Sequence, residues 1–362
     1  MASLTEQQQK VSALFKKTPL IISGPCSAET EEQVMTTARG LANTGKVDIM
    51  RAGIWKPRTR PGAFEGAGNE ALVWMNEIRA EFGFKLCTEV ATVSHVEAAL
   101  KAGFDMLWIG ARTTTNPFSV QEIAEALKGV DIPVMVKNPI NPDLKLWIGA
   151  IERLLKIGIQ DVSAIHRGFS VYEQSKYRNA PNWQIPIDLK QLLPDIPLLC
   201  DPSHISGDAA ILEEVAQKAL DLKYDGFMIE THFNPSIAKT DAKQQLTPYQ
   251  LKEMLNTLHY RDRSELVEAE LSEFRARIDA MDEALIHLLI ERMHISASIG
   301  NFKKERNLAI LQKARWEELL LNNVNRAIKA DLSSDFASQI FKLIHQESIH
   351  IQSEILGKNK NE

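Results

Sequence analysis

The sequence predicts an α/β chain of the (β/α)8 TIM-barrel class followed by an all-α module, and three observations carry that expectation. Eight short apolar runs recur between residues 20 and 233, with helix-like segments between most of them. From about residue 264 the strand signals stop, and apolar residues recur only at helical three- and four-residue spacing. The 362 residues exceed an ordinary barrel by about 100, room enough for a second module. The predicted division is 1–260 and 261–362.

The strands are expected at LIISGPCS (20–27), DIMRAGIWKPRT (48–59), KLCTEV (85–90), MLWIGAR (106–112), PVMVKN (133–138), DVSAIHRG (161–168), PLLCDPSH (197–204) and GFMIETHF (226–233). Strands alternating with amphipathic helices imply parallel βα units, and eight of them over about 240 residues suit a closed barrel. The C-terminal strand ends of such barrels carry the active site. Here those ends collect groups that bind phosphate, carboxylate or metal, which argues for an enzyme. Helices are expected over 29–44, 69–83, 92–102, 119–128, 142–157, 207–221 and 247–258, several opened by Thr, Asn, Ser or Pro. The stretch 178–196, broken by Pro181, Pro186 and Pro194, reads as a loop with a short helix at the substrate entrance.

The second module reads as three helices, 264–304, 311–329 and 334–356. In the first, Leu271, Phe274, Ile278, Met281, Leu285, Leu288, Leu289, Met293, Ile299 and Phe302 form an apolar stripe. At 1.5 Å per residue that helix extends about 60 Å, and only another long helix can cover it. The expectation is an intertwined homodimer or a higher homo-oligomer.

A formal net charge of −5 gives no support to nucleic-acid or anionic-membrane binding, which require an extended basic surface. No apolar run approaches the roughly 20 residues that span a bilayer, and MASLTEQQQK lacks the layout of a signal peptide, so the cytoplasm is expected. Three cysteines, Cys26, Cys87 and Cys200, are too few and too scattered for a disulfide framework. All three fall in expected strands. Gly24 and Pro25 end the first strand sharply, which would leave the Cys26 thiol at the barrel mouth.

Cys26, His204, Glu230 and Asp241 combine a thiolate, an imidazole and two carboxylates, a donor set suited to one divalent ion of the Mn, Fe, Co or Zn class. Closure of the barrel would bring strands one, seven and eight together around it. Arg51, Lys56, Arg58, Arg112, Lys137 and Arg167, from strands two, four, five and six, are too many cations to leave without anions. Two phosphorylated substrates, one also a carboxylate, fit the count.

In this order, GPCSAE, KPRT, IGAR, VKNP, HRG, DPSH and IETH closely resemble the type I β 3-deoxy-D-arabino-heptulosonate 7-phosphate (DAHP) synthases, over about residues 18–258. The resemblance implies condensation of phosphoenolpyruvate with erythrose 4-phosphate. It puts the metal on Cys26, His204, Glu230 and Asp241, phosphoenolpyruvate on Arg51, Lys56, Arg112, Lys137 and Arg167, and erythrose 4-phosphate on Arg58 and Thr59. Lys56 and Glu89 are the candidates to manage the water that adds at C2. The octulosonate 8-phosphate synthases of the same branch carry an asparagine-containing variant of KPRT, so KPRT favours the four-carbon aldose.

On the long helix, Arg292 and Lys303 share a face about 16 Å apart, whereas Arg275 is rotated about 100° away, as expected of a residue reaching into a partner's site. Gln312, Arg315 and Trp316 share a face of the second helix, and Ser348 and Gln352 lie one turn apart on the third. Spacing alone is equally consistent with a dimerisation coiled coil. However, FRARIDAMDEALIHLLIERMHISASIGNFKK, then RW, then QESIHIQ, resembles the all-helical AroQ-type chorismate mutases over about 264–356. That implies a chorismate-to-prephenate site with Arg275 from one subunit and Arg292, Lys303, Arg315, Ser348 and Gln352 from the other. Gln312 stands where many relatives have Asp and Trp316 where many have Glu. The fusion also suggests feedback by chorismate or prephenate on the barrel.

Overall fold

The computed structural model describes residues 19–56, 62, 64–172, 175–261 and 265–357. The chain divides into two compact units, Met1–Arg261 and Asp262–Glu362.

The first unit is a closed barrel of eight parallel strands in sequence order: β1 (Leu20–Gly24), β2 (Ile49–Arg51), β3 (Lys85–Val90), β4 (Met106–Ile109), β5 (Val134–Lys137), β6 (Val162–His166), β7 (Leu198–Cys200) and β8 (Gly226–Glu230). β8 closes on β1, in register from Leu20 opposite Gly226 to Gly24 opposite Glu230. The helices are α1 (Glu31–Ala42), α2 (Glu70–Phe82), α3 (Val93–Lys101), α4 (Ala111–Thr114), α5 (Pro117–Ala126), α6 (Leu144–Lys156), α7 (Gln184–Leu192), α8 (Pro202–Ser206), α9 (Leu212–Asp221) and α10 (Pro248–Thr257). Local chemistry starts many of them: Thr30, Asn116 and Asp143 accept backbone N–H bonds at N-caps, and Thr247 with Gln250 forms a capping box before Pro248.

Two cores follow from the two-residue period of the strands. Leu20, Ile22, Ile49, Cys87, Met106, Trp108, Met135, Ile165, Leu199 and Met228 fill the barrel interior. Their neighbours, such as Ile21, Leu86, Leu107, Val134, Val136 and Cys200, pack outward with the helices. Stepping two residues beyond the interior set at the C-terminal ends lands on Arg51, Glu89, Lys137, Arg167, Asp201 and Glu230. The pleat that sorts the apolar side chains therefore also aims these charges inward.

The second unit holds α11 (Glu265–Glu305), α12 (Lys313–Lys329) and α13 (Ser334–Gly357), with α11 and α12 each packed on α13. Ile278, Met281, Leu285 and Leu288 of α11 are 56, 64, 53 and 63% exposed, so the apolar stripe is uncovered in the single chain. Among the described residues, no helix is long and apolar enough to cross a membrane.

Candidate active sites

At the C-terminal mouth of the barrel, Cys26, Glu230 and Asp241 place ligand atoms within 4.8 Å of one another. His204 approaches from the Glu230 side, its Nε2 3.8 Å from Glu230 Oε1. β1 stops at Gly24, so Cys26 lies in the bend after the strand and not within it as expected. Gly24 is required there, because a β-carbon would collide with the Arg51 carbonyl. Asp241 follows β8 in a left-handed conformation, φ 47°, unusual for a non-glycine residue, and turns its carboxylate back to the Cys26 sulfur at 3.4 Å.

The donor set fits a divalent metal on two counts. Glu230 Oε1 is buried with no hydrogen-bond partner. The four donors also offer the mixed sulfur, nitrogen and oxygen ligation that first-row divalent ions take. Burial pushes the Cys26 thiol up to about 12, with Glu230 adding to it, so the thiolate requires a cation of its own. Burial opposes charge on Glu230, yet His204, Arg51 and Lys56 hold it below the ordinary carboxylate range. Arg178 does the same for Asp241, against the effect of burial.

Surrounding groups fix these donors. Asp201 caps α8 by accepting from the His204 backbone N–H at 3.0 Å, and its Oδ2 lies 2.7 Å from Lys137 Nζ. The same oxygen is 2.8 Å from His204 Nδ1, but off the hydrogen-bond line. Arg178 donates to Asp241 Oδ1 at 2.9 Å and Gln244 Oε1 at 2.6 Å, while Gln244 Nε2 donates to Glu230 Oε2 at 2.7 Å. Asn179 accepts from Arg167 Nη1 at 2.7 Å and donates to the His204 carbonyl at 2.6 Å.

Deeper in the mouth stands the cationic group. Arg51 is fully buried, 3.4 Å from Glu230 Oε1, with its guanidinium 4.7 Å from the Trp108 ring centroid. Its Nε and Nη1 have no hydrogen-bond partner. Buried guanidinium donors without hydrogen bonds, ion-paired only to Glu230, leave room for an anion. Burial opposes the charge of Lys56, but the Cys26 sulfur and Glu89 keep its pKa above the ordinary value. Arg167 is lowered to about 10 by burial, with neighbouring Arg178 and Arg112 contributing. Glu89 takes a hydrogen bond from Trp108 Nε1 at 3.2 Å and lies against Gly110, where any side chain would strike its carboxylate. Arg112 is exposed in the one-turn helix α4. Arg58 and Thr59 lie outside the described residues.

In the helical unit, Arg292 Nη1 donates to Ser348 Oγ at 2.7 Å and Lys303 Nζ to Gln352 Oε1 at 3.0 Å. Lys303, Ser348 and Gln352 are buried. Burial lowers the pKa of both Arg292 and Lys303. Gln312 and Lys303 border one cavity of about 420 Å³ with Ile295, Ile299 and Phe302. Trp316 stacks on His345, ring centroids 3.9 Å apart and planes within 5°. Two residues stand apart from this group: Arg315 pairs with Glu318 at 2.9 Å on the surface, and Arg275 is exposed, about 25 Å along α11 from Arg292.

The sequence model of the DAHP synthetase I family matches residues 4–266. The chain belongs to the DAHP synthetase I family. A second match, to chorismate mutase type II, covers residues 274–353, and the protein is a bifunctional enzyme, a DAHP synthase joined to a chorismate mutase. The phospho-2-dehydro-3-deoxyheptonate aldolase of Thermotoga maritima is 28% identical over 238 residues, covering 66% of this chain and 68% of that protein. A 2-dehydro-3-deoxyphosphooctonate aldolase of Campylobacter jejuni is 26% identical over 267 residues, covering 67% of this chain and 96% of its own. The crystal structure of the Thermotoga maritima DAHP synthase superposes with a TM-score of 0.59 at 27% identity, covering 66% of this chain and 67% of that one.

In this DAHP synthase–chorismate mutase, the groups that sequence reasoning missed are Trp108, Asp201, Arg178, Asn179 and Gln244. Asp201 stands inside the DPSH motif, and Arg178 and Asn179 in the stretch already read as an entrance loop. Trp108 and Gln244 carry no sequence signal. His232, two residues beyond Glu230, accepts from the Asn234 N–H through Nδ1 at 3.0 Å and stacks on Phe233.

Proposed function

We propose that the barrel condenses phosphoenolpyruvate with erythrose 4-phosphate to DAHP and phosphate, and that the helical unit converts chorismate to prephenate, within a cytoplasmic homodimer or higher homo-oligomer. The division of labour would follow the expected modules 1–260 and 261–362, beside compact units of Met1–Arg261 and Asp262–Glu362. The observation that carries the barrel reading is the buried, unpaired Arg51 donors facing a carboxylate-rich metal cradle. An anion and a divalent cation are both needed to balance that interior.

Cys26, His204, Glu230 and Asp241 would hold the divalent metal, which when bound polarises the aldehyde carbonyl. Arg51, Lys56, Lys137, Arg112 and Arg167 grip phosphate and carboxylate, orienting C3 of phosphoenolpyruvate toward the aldehyde carbon. As the new carbon–carbon bond forms, the aldehyde oxygen takes up a proton and water adds at C2, with Lys56, an ammonium, to hold that water and Glu89 to accept its proton. The C2–O bond to phosphorus then breaks and phosphate leaves. Arg58 and Thr59 of KPRT would bind the aldose phosphate. KPRT favours erythrose 4-phosphate, although relatives of both aldose classes match the chain, and activity on arabinose 5-phosphate instead would reverse that assignment.

For the mutase, no nucleophile is needed: one ether C–O bond breaks as one C–C bond forms, and a rigid cationic site holds the reactive conformer. Lys303 and Gln352 would donate to the ether oxygen, Arg292 with Ser348 to a carboxylate. Arg315 of the same chain as Arg292, together with Arg275 contributed by the other subunit, would complete the grip. A chorismate or prephenate molecule in this site would then feed back on the barrel.

Chorismate turnover by the intact protein and by Arg292→Ala, at equal folded concentration, tests the second activity. Loss of about 10³-fold in the variant is expected. Absence of turnover in both would make the helices a non-catalytic sensor or dimerisation module, the reading that spacing alone allows.

A further inference from the structure

We propose that His345 is a substrate-contacting residue of the helical site, its Nε2 accepting a hydrogen bond from the hydroxyl of the substrate. The inference rests on the chorismate reading of that site and adds an acceptor that Arg292, Lys303, Ser348 and Gln352 do not supply.

On α13, positions 345, 348 and 352 follow one another at spacings of three and four, which places them on one helical face. Two of the three already meet α11, through Arg292–Ser348 and Lys303–Gln352. His345 extends this face by one turn. Its Nε2 is buried and has no hydrogen-bond partner, a costly state for an imidazole nitrogen unless a ligand completes it. Trp316, arriving from α12, covers one face of the ring in a parallel stack and so fixes the plane in which that nitrogen lies. The indole offers no acceptor of its own.

Charge complementarity decides what the nitrogen meets. Arg292 and Lys303 only donate. Gln352 Oε1 is engaged by Lys303, while Ser348 Oγ receives Arg292 and Ser296 and donates to the Ile344 carbonyl. These groups thus offer the substrate donors and no free acceptor. Chorismate brings two carboxylates and an ether oxygen, all acceptors, plus one hydroxyl, its only donor. Burial, followed by Arg292 and Lys303, disfavours the protonated ring. A neutral imidazole keeps one unprotonated nitrogen, and here that nitrogen is the missing acceptor.

The test uses the full chain and three variants. His345→Phe keeps the stack and removes the nitrogen; His345→Gln keeps a polar end; Arg292→Ala reports on the site itself. His345→Phe is expected to lower kcat/KM for chorismate by about 10- to 100-fold, with His345→Gln recovering part of the loss. On an analogue of chorismate lacking the hydroxyl, His345→Phe is expected to match the unmodified protein within about twofold. An acid limb in kcat/KM, from protonation of His345, should be present in the unmodified protein and absent from His345→Gln. Equal losses on chorismate and the hydroxyl-free analogue would assign His345 to packing and overturn the proposal. So would an unaffected His345→Phe beside an inactive Arg292→Ala, whereas an unmodified protein without chorismate turnover would overturn the chorismate reading itself.

Discussion

The barrel mouth and the helical site solve the same problem, holding a dianionic or phosphorylated substrate, with opposite economies of chain. In the barrel, eight strand ends of one chain converge, and each metal-ligand candidate is braced by another residue of that chain, as Arg178 braces Asp241 and Gln244 braces Glu230. In the helical unit, Arg292, Lys303, Ser348 and Gln352 converge, but Arg315 turns to Glu318 on the surface and the α11 stripe faces outward. A closed sheet completes its own interior; a long helix cannot. The contrast marks the helical unit as the place where the proposed second copy would contribute, and it is open to attack from both sides.

The sharpest way to break it is to charge the stripe. Met281→Glu together with Leu285→Glu would desolvate carboxylates in a helix–helix seam, and dissociation is expected. Mutase activity should fall by about 100-fold or more and become dependent on protein concentration, because positioning across the seam is lost. DAHP synthase turnover should stay within about threefold, since the described barrel groups come from one chain. Size-exclusion chromatography with both assays checks this. A monomer with undiminished mutase activity would show that the helical site is complete within one chain.

A smaller effect probes the bracing of the barrel. Arg178→Gln removes the charge that opposes Asp241, and Asn179→Ala removes the bridge between Arg167 and His204. Outer contacts of this kind govern metal affinity by about 10- to 100-fold. Titration with cobalt(II), followed by thiolate-to-metal absorption, should show weaker binding in both variants and unchanged mutase activity. Affinity equal to that of the unmodified protein would reduce the bracing to packing.

What was legible in the sequence follows from the same contrast. Strand parity made the barrel readable, because the two-residue period that buries Ile49 and Met135 also places Arg51 and Lys137 two residues on. Helical spacing made α11 to α13 readable to within two residues at each end. By contrast, the one-turn helices α4 and α8 are too short to show any period. Arg178 meets Asp241 across 63 residues, and Gln245 Oε1 accepts from the Cys26 backbone N–H across 219, pairings that only the closed barrel creates. His345 was hidden for another reason: one histidine on a helix face looks the same in sequence whether it is packed, solvated or waiting for a ligand.

Buried His166 of the barrel and half-buried His345 of the helices sharpen the comparison at its finest level. His166 ends β6 with both nitrogens used: Tyr224 O–H lies 3.0 Å from Nδ1, and Nε2 is 2.7 Å from the Pro181 carbonyl, which pins the entrance loop. Burial lowers its pKa from 6.5 to about 3, so the ring stays neutral in the fold while the unfolded chain protonates. Between those values the unfolded state binds more protons, and stability must fall as pH drops from about 6.5 toward about 3. His166→Gln can keep both polar contacts without titrating. Its unfolding midpoint in urea should therefore fall less steeply with acid, the difference in slope corresponding to at most about one proton. Parallel slopes would mean that His166 is protonated in the fold, and the neutral, fully partnered ring of the barrel would no longer contrast with the half-partnered His345 of the helices.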